Sequence, residues 1–278
     1  MTMKCLIRIL SMIGAVAFGA SAVAGAEDDR RHFVELYQNR FAGIQLADYV
    51  YGALIFSADA KAQYDSMMVM PPWQDVIEQG RKMWETPLKN GNTYASCFPS
   101  EGKNVGGNYP YFDDKLGKVV TFEMAINRCR RDNGEAEYKY DDMATMGTLT
   151  VYARSLSDGM SVNIKVEGVG AQAAYETGKR FFYSRRGQLN FACANCHVGN
   201  AGNRVRNEFL SPVIGQTTHW PLFRGEGDLW TLQRRYVACN ALTRAVPFAI
   251  GSEEYNNLEY FHSYMSNGLP MHTAVWRK

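Results

Sequence analysis

Two thiols and an imidazole stand together in Phe191-Ala192-Cys193-Ala194-Asn195-Cys196-His197. The spacing is C-x-x-C-H, the attachment pattern of a c-type haem. Thiols at this interval can add to the two vinyl groups on adjacent edges of the macrocycle. The next residue can then turn its imidazole onto the iron, while the second ring N–H anchors it. Two other readings of C-x-x-C fit less well. A thioredoxin-type redox pair wants a preceding strand and βαβ surroundings, and the sequence suggests neither. A zinc site wants a second C-x-x-C or paired histidines at suitable spacing, and none follows. One covalently bound haem c is therefore expected, held by Cys193 and Cys196 with His197 on the iron.

The opposite face of the iron decides what such a protein does. Met271, in Gly268-Leu269-Pro270-Met271, is the obvious ligand for an electron-transfer cytochrome, with Met265 behind it. His219, His262 and His272 are further candidates. The remaining one is Cys239, the only cysteine after the haem motif. Leu229 to Leu242 reads as a helix with Leu232, Tyr236 and Cys239 along one face, and Arg235 one turn before Cys239. A cation one turn from a thiol favours the thiolate. It can equally hold an anionic substrate by charge-assisted hydrogen bonds. The plain alternative is a buried free cysteine with Arg235 on a solvated edge, and spacing alone does not separate these readings. With Met271 as ligand, the protein would be a His/Met cytochrome acting only in electron transfer. A haem-bearing structural subunit is a third reading.

Stepping outward, the elements that must carry these residues are mostly helical. Ala171 to Arg185 reads as a helix, with Ala174, Tyr175, Gly178, Phe181 and Phe182 at near-helical spacing and Gly187 ending it. Helices are also expected over Pro72–Glu85, Val119–Arg130 and Met146–Leu156. Gly102 to Pro110 is a glycine-rich loop without the strand and helix that a phosphate-binding loop needs. The stretch from Ser157 to Gly170 is the expected boundary, its Val162, Ile164, Val166 alternation suggesting a short strand. This divides the chain into an N-terminal domain, 27–160, and a haem-binding domain, 161–278. No tandem repeat stands out residue by residue.

At the N-terminus, Lys4 and Arg8 precede an apolar run ending near Val23, and Ala24-Gly25-Ala26 has the A-x-A form of a cleavage site. Residues 1–26 thus read as a signal peptide, the run being short of the roughly 20 residues of a membrane span. This predicts a periplasmic protein, beginning at Glu27, with no membrane span after cleavage. Loss of Lys4 and Arg8 takes the formal charge of +2 to zero, which argues against a broad nucleic-acid surface. With 16 Tyr, 14 Phe and 5 Trp the chain can build a substantial core. Cys5 leaves with the signal, so an odd number of cysteines remains, and at least one thiol needs an explanation.

Several stretches resemble the SoxA family. They run from Tyr175-Glu176-x-Gly178 through Arg185-Arg186-Gly187-Gln188-Leu189-Asn190-Phe191 into the haem motif. They continue in His219-Trp220-Pro221, Arg234-Arg235-x-x-x-Cys239-Asn240, Gly251-Ser252-Glu253-Glu254-Tyr255 and Leu258-Glu259. The resemblance is specific from about Tyr175 onward and looser before it. It implies a mainly α protein of two cytochrome c-like domains and an L-cysteine S-thiosulfotransferase activity. It implies that Cys239 is the distal haem ligand, carried as a persulfide, and that Arg235 positions thiosulfate. Met271 then becomes a packing residue. Thiolate ligation implies a low haem potential. The implied partners are a SoxX-type cytochrome c subunit, a SoxYZ-type sulfur carrier and, as an addition, a small third subunit.

Some members of that family hold a second haem in the N-terminal domain. Here the corresponding stretch is Ser96-Cys97-Phe98-Pro99-Ser100-Glu101-Gly102-Lys103. The second cysteine and the histidine are missing, so the N-terminal domain is expected to lack haem. Cys97 and Cys129 then remain in an oxidising compartment, where a disulfide between them is the economical reading. Cys239 is left as the odd thiol.

Overall fold

The computed structural model describes residues 25–277. The apolar run read as a signal lies outside them. The first described element is α1 (Ala26–Arg40), with Glu27, Asp28 and Asp29 in its first turn and Arg40 in its last, charges that complement the helix dipole. Phe33 and Tyr37, one turn apart, are both buried. A 3-10 stretch, Leu46–Phe56, leads to α2 (Ala58–Val69), capped by Ser57. Apart from Met67 and Met68 beside Trp73, the apolar residues of these segments pack with a distant part of the chain. Phe33, Tyr37, Tyr49, Leu54 and Tyr64 share one core with Tyr175, Phe182, Ile214 and Phe261. The sequence division puts 27–160 in one unit, whereas packing puts 26–69 with the other. Apolar surface is buried wherever a complementary surface exists, and adjacency in the chain does not decide where that is.

Two modules of one plan make up the rest. The first opens with α3 (Gln74–Glu85). A loop with short 3-10 turns leads to a hairpin of β1 (Tyr111–Asp113) and β2 (Lys118–Val120). Then come α4 (Phe122–Asp132) and α5 (Thr148–Ser155). The second opens with α6 (Gly168–Tyr183) and passes through the haem motif. A small hairpin, β3 (Arg204–Val205) with β4 (Glu208–Phe209), follows. Next are β5 (Leu222–Arg224), β6 (Asp228–Trp230), α7 (Leu232–Leu242), α8 (Glu253–Tyr264) and β7 (Trp276–Arg277). Strand β5 pairs antiparallel with β6 and parallel with β7. In each module the first and last helices cross at a glycine. A β-carbon at Gly80 would collide with Thr148 O, and one at Gly178 with Asn257 O. The two backbones touch there, which only glycine permits.

The helices fall close to their expected places, with instructive differences. Leu229–Trp230 and Val119–Val120 belong to strands rather than to the helices predicted over them. Thr231 and Thr121 cause this. Each has extended φ/ψ and accepts a hydrogen bond on its side chain, from Arg234 N and Met124 N respectively, both at 3.3 Å. A threonine N-cap starts a helix and keeps the preceding residue extended. The expected strand at 162–166 is an extended segment instead. Ile164 is bonded through both backbone groups to the Asn267 side chain, and Ser161 alone bridges to Pro270.

The modules meet at an aromatic seam, where Trp73 stacks on Phe223 at 4.7 Å among Val151, Leu229 and Trp276. Beside it lies buried Glu259, which accepts from Gln233 Nε2 at 2.9 Å. Burial, and then the Glu123 carboxylate, push the Glu259 carboxyl up to about 8, with Gln233 and Arg154 opposing. The folded chain therefore keeps a proton that the unfolded chain releases. Stability is greatest below the ordinary value of 4.5 and falls until the pH passes about 8. Thermal melts across this range should show the decline, and Glu259→Gln should flatten it. An equally steep decline in the variant would assign the effect to another group.

Candidate active site

The chain reaches the haem motif from α6 through a turn at Gly187, whose φ is +71°. A β-carbon there would meet Thr243 O, so the approach lies directly on the end of α7. Backbone bonds fix that contact, from Gln188 N to Arg244 O at 3.3 Å and from Leu189 N to Thr243 O at 3.2 Å. Arg186 and Phe191 exchange backbone bonds and close a small loop. Asn195 Oδ1 then accepts from Ala192 N at 2.8 Å, which starts the turn carrying Cys196 and His197.

Helix α1 clamps this turn from the other side. Tyr37 Oη donates to His197 O at 2.5 Å and accepts from Val213 N at 3.2 Å. Arg40 donates to Val198 O at 2.5 Å. Sequence reasoning gave residues 27–71 no part in the site. The one available signal was the Phe33/Tyr37 pair at helical spacing.

His197 is half-buried, and its Nδ1 lies 2.9 Å from Ser211 O. A carbonyl can only accept, so Nδ1 carries the proton and Nε2 keeps its lone pair. The Gln216 side chain borders the same nitrogen and bonds Ser211 Oγ at 2.6 Å. Burial holds His197 down at about 4; the Ser211 carbonyl opposes this and Arg235 adds to it. The imidazole is thus neutral at neutral pH, the form that binds iron.

Cys193, Cys196 and Cys239 are free, half-buried thiols, and Cys239 lies within electrostatic reach of the other two. Burial pushes Cys193 up to about 12, opposed by Arg186 and reinforced by the neighbouring Cys239. Cys196 is raised by burial and, again, by Cys239. Arg235, one turn before Cys239 on α7, acts on both His197 and Arg224. Beside them Tyr236 Oη meets His262 Nδ1 at 2.9 Å, and burial keeps His262 neutral at about 3. Cys239 and Arg235 therefore lie within electrostatic reach of the motif, although they stand about forty residues beyond it in sequence.

These residues fit a c-type haem. Two free thiols at the attachment spacing adjoin a neutral imidazole with a bare Nε2. Arg186 Nη1 and Trp230 Nε1 are buried donors without partners, of the kind that haem carboxylates satisfy. Of the other ligands considered, His262 stands near His197, with Nδ1 on Tyr236 Oη and Nε2 without a partner; the rest lie elsewhere or are engaged. Met271 is buried in the large core, where its methyl group faces Gly106 and its N–H bonds Met160 O. Met265 belongs to the core. His272 meets Tyr64 Oη at 2.6 Å, and His219 packs over Gly52.

The first module has no room for a haem. Trp84, Tyr94, Phe98 and Phe122 fill its core, with ring centroids at 5.3 Å for Trp84–Phe98 and 5.4 Å for Phe98–Phe122. Cys97 and Cys129 are joined by a disulfide, with Cα atoms 5.7 Å apart. Asn133 Nδ2 donates to Cys97 Sγ at 3.3 Å and to Cys129 O at 2.7 Å. Among the described residues, no helix is long and apolar enough to cross a membrane.

Comparison with known proteins gives a consistent answer. The family described as SoxA/TsdA, cytochrome c domain, matches residues 79–162, which is the module without a haem motif. The L-cysteine S-thiosulfotransferase subunit SoxA of Chlorobaculum tepidum is 42% identical over 90% of this chain and 87% of its own length. The SoxA subunit of Allochromatium vinosum is 38% identical over 98% of both chains. The crystal structure of SoxXA from P. pantotrophus aligns with a TM-score of 0.68 at 31% identity, covering 75% of this chain and 79% of that one.

Proposed function

This chain belongs to the SoxA family, the cytochrome c subunits of L-cysteine S-thiosulfotransferase, and from that premise we propose that Cys239 is its active residue. The observation that supports this most is the convergence of Cys239 and Arg235 on the haem motif. Cys193 and Cys196 would hold one haem c by its vinyl edges. His197 and Cys239 would be the axial donors. The haem supplies a one-electron redox centre beside the cysteine. Only one is proposed, because the first module presents neither the motif nor the space.

In this reading Cys239 carries an extra sulfur as a persulfide, and thiosulfate, a dianion, is drawn in by Arg235. The persulfide sulfur bonds to the terminal sulfur of thiosulfate, and two electrons leave for an external cytochrome c. A cysteine thiolate of a SoxYZ-type carrier then attacks the thiosulfate-derived sulfur. That step leaves the S-thiosulfonate on the carrier and returns the Cys239 persulfide. Splitting the coupling in two confines the oxidation to the first step and leaves the carrier step a redox-neutral sulfur transfer.

The solved relative is a SoxXA complex, which supports a SoxX-type cytochrome as partner, with a small third subunit as an addition. The periplasm, after removal of residues 1–26, is the proposed location. Mass spectrometry of the native protein tests the reading directly. A peptide bearing Cys239 plus one sulfur is expected, together with one haem per chain by pyridine haemochrome. An unmodified Cys239 with methionine on the iron would leave only an electron-transfer cytochrome.

Arg235→Ala gives a second test. Loss of one charge-assisted contact, about 1.5–3 kcal/mol, should raise the thiosulfate KM roughly 10- to 100-fold, with the haem spectrum retained. An unchanged KM would remove its assigned role.

A further inference from the structure

From the threonine cap onward, the two modules correspond at one constant offset. Thr121, Cys129 and Asp142 correspond to Thr231, Cys239 and Ser252. The elements agree with this register. An antiparallel hairpin precedes each threonine. Each threonine caps a helix of 11 residues. Asp142 and Ser252 each cap the helical segment that follows. Ahead of the hairpins, Gly80 and Gly178 mark equivalent helix crossings, and Cys97 and Cys193 follow them in equivalent loops.

The tie between loop and helix is also repeated. In the second module, the backbone before Cys193 bonds Thr243 and Arg244 at the end of α7. In the first, the stretch before Cys97 bonds the end of α4. Asn90 and Asn92 donate to Asn133 Oδ1 at 2.7 and 2.9 Å, and Lys89 Nζ donates to Gly134 O at 3.1 Å. Cys97 thus corresponds to Cys193, and Cys129 to Cys239. The first pair is a disulfide. The second is a pair of free thiols within electrostatic reach of each other.

We propose that, in the chain before haem attachment, Cys239 forms a disulfide with Cys193 at the position that Cys97–Cys129 occupies in the other module. The step needs an oxidant, here an external disulfide. The two thiols give up two protons and two electrons, and the external disulfide becomes two thiols. Thioether formation adds an S–H across a vinyl group, and a disulfide has no S–H. Haem attachment at Cys193 and the Cys193–Cys239 bond therefore exclude each other, and reduction of this bond becomes a required step in maturation. The cysteine proposed for sulfur transfer doubles as the lock on its own cofactor site.

The full mature chain, prepared without haem and exposed to oxidised glutathione, provides the test. After alkylation and digestion, peptide mapping should find Cys193–Cys239 alongside Cys97–Cys129, with only Cys196 alkylated. That is a loss of two of the three free thiols. Three alkylated thiols, a Cys193–Cys196 link or a Cys196–Cys239 link would overturn the proposal. In a second measurement, oxidised and thiol-reduced chains are offered ferrous haem. The oxidised chain should attach none until it is reduced, and equal covalent haem in both samples would overturn the competition. Neither readout depends on the persulfide, so the two readings stand or fall separately.

Discussion

Replacing Cys239 by serine is expected to lower thiosulfate coupling by at least about 10³-fold, as removal of a covalent nucleophile does, while leaving haem attachment intact. The two effects separate because the residues sit on different elements. Cys193, Cys196 and His197 lie on the loop and turn after α6, held by Asn195, Ser211 and Tyr37. Cys239 lies on α7, whose start is fixed by Thr231 and whose end is fixed by the backbone bonds to 188–189. A serine oxygen occupies nearly the same volume, so α7 should keep its packing through Leu232 and Tyr236. It cannot carry a sulfur chain. The checks are steady-state coupling of thiosulfate to a carrier thiol, the pyridine haemochrome content and the absorption spectrum. Undiminished coupling would reject Cys239 as the covalent way-station. Lost haem would show that the cysteine is needed for assembly as well.

The second large effect concerns stability. The double substitution Cys97→Ser, Cys129→Ser opens a loop of sequence separation 32. It should cost about 3–4 kcal/mol by the loop-entropy relation. The change should be confined to the first module, whose aromatic core is stapled at this one point. Trp84 and Phe98 share the core with Cys129 and pack against one another, their rings tilted by 36°. Their fluorescence and near-ultraviolet dichroism should report the loss in denaturant unfolding, while covalent haem remains at the wild-type level. Removing both cysteines avoids leaving an unpaired buried thiol at Cys129, which is 3% exposed. An unchanged unfolding free energy would mean that aromatic packing alone holds the module.

What could be read from the sequence follows the range of each interaction. Haem attachment needs two thiols and an imidazole within five consecutive residues, so the motif is complete in one line of text. The helices were legible because apolar spacing and their ends are local. Their first turns were misplaced at Thr121 and Thr231, where the cap lies inside the apolar pattern. The resemblance in the C-terminal half supplied roles for Cys239 and Arg235 that spacing alone left open. Tertiary structure decided the rest. It brought Cys239 within electrostatic reach of Cys193 and Cys196, placed Met271 in the large core, and drew α1 across the chain to clamp His197. It also revealed that the halves repeat, a relation carried by caps, hairpins and glycine crossings more than by shared residues. Such contacts join positions far apart in the chain. Packing of complementary surfaces determines them, and no local pattern records which surfaces will meet.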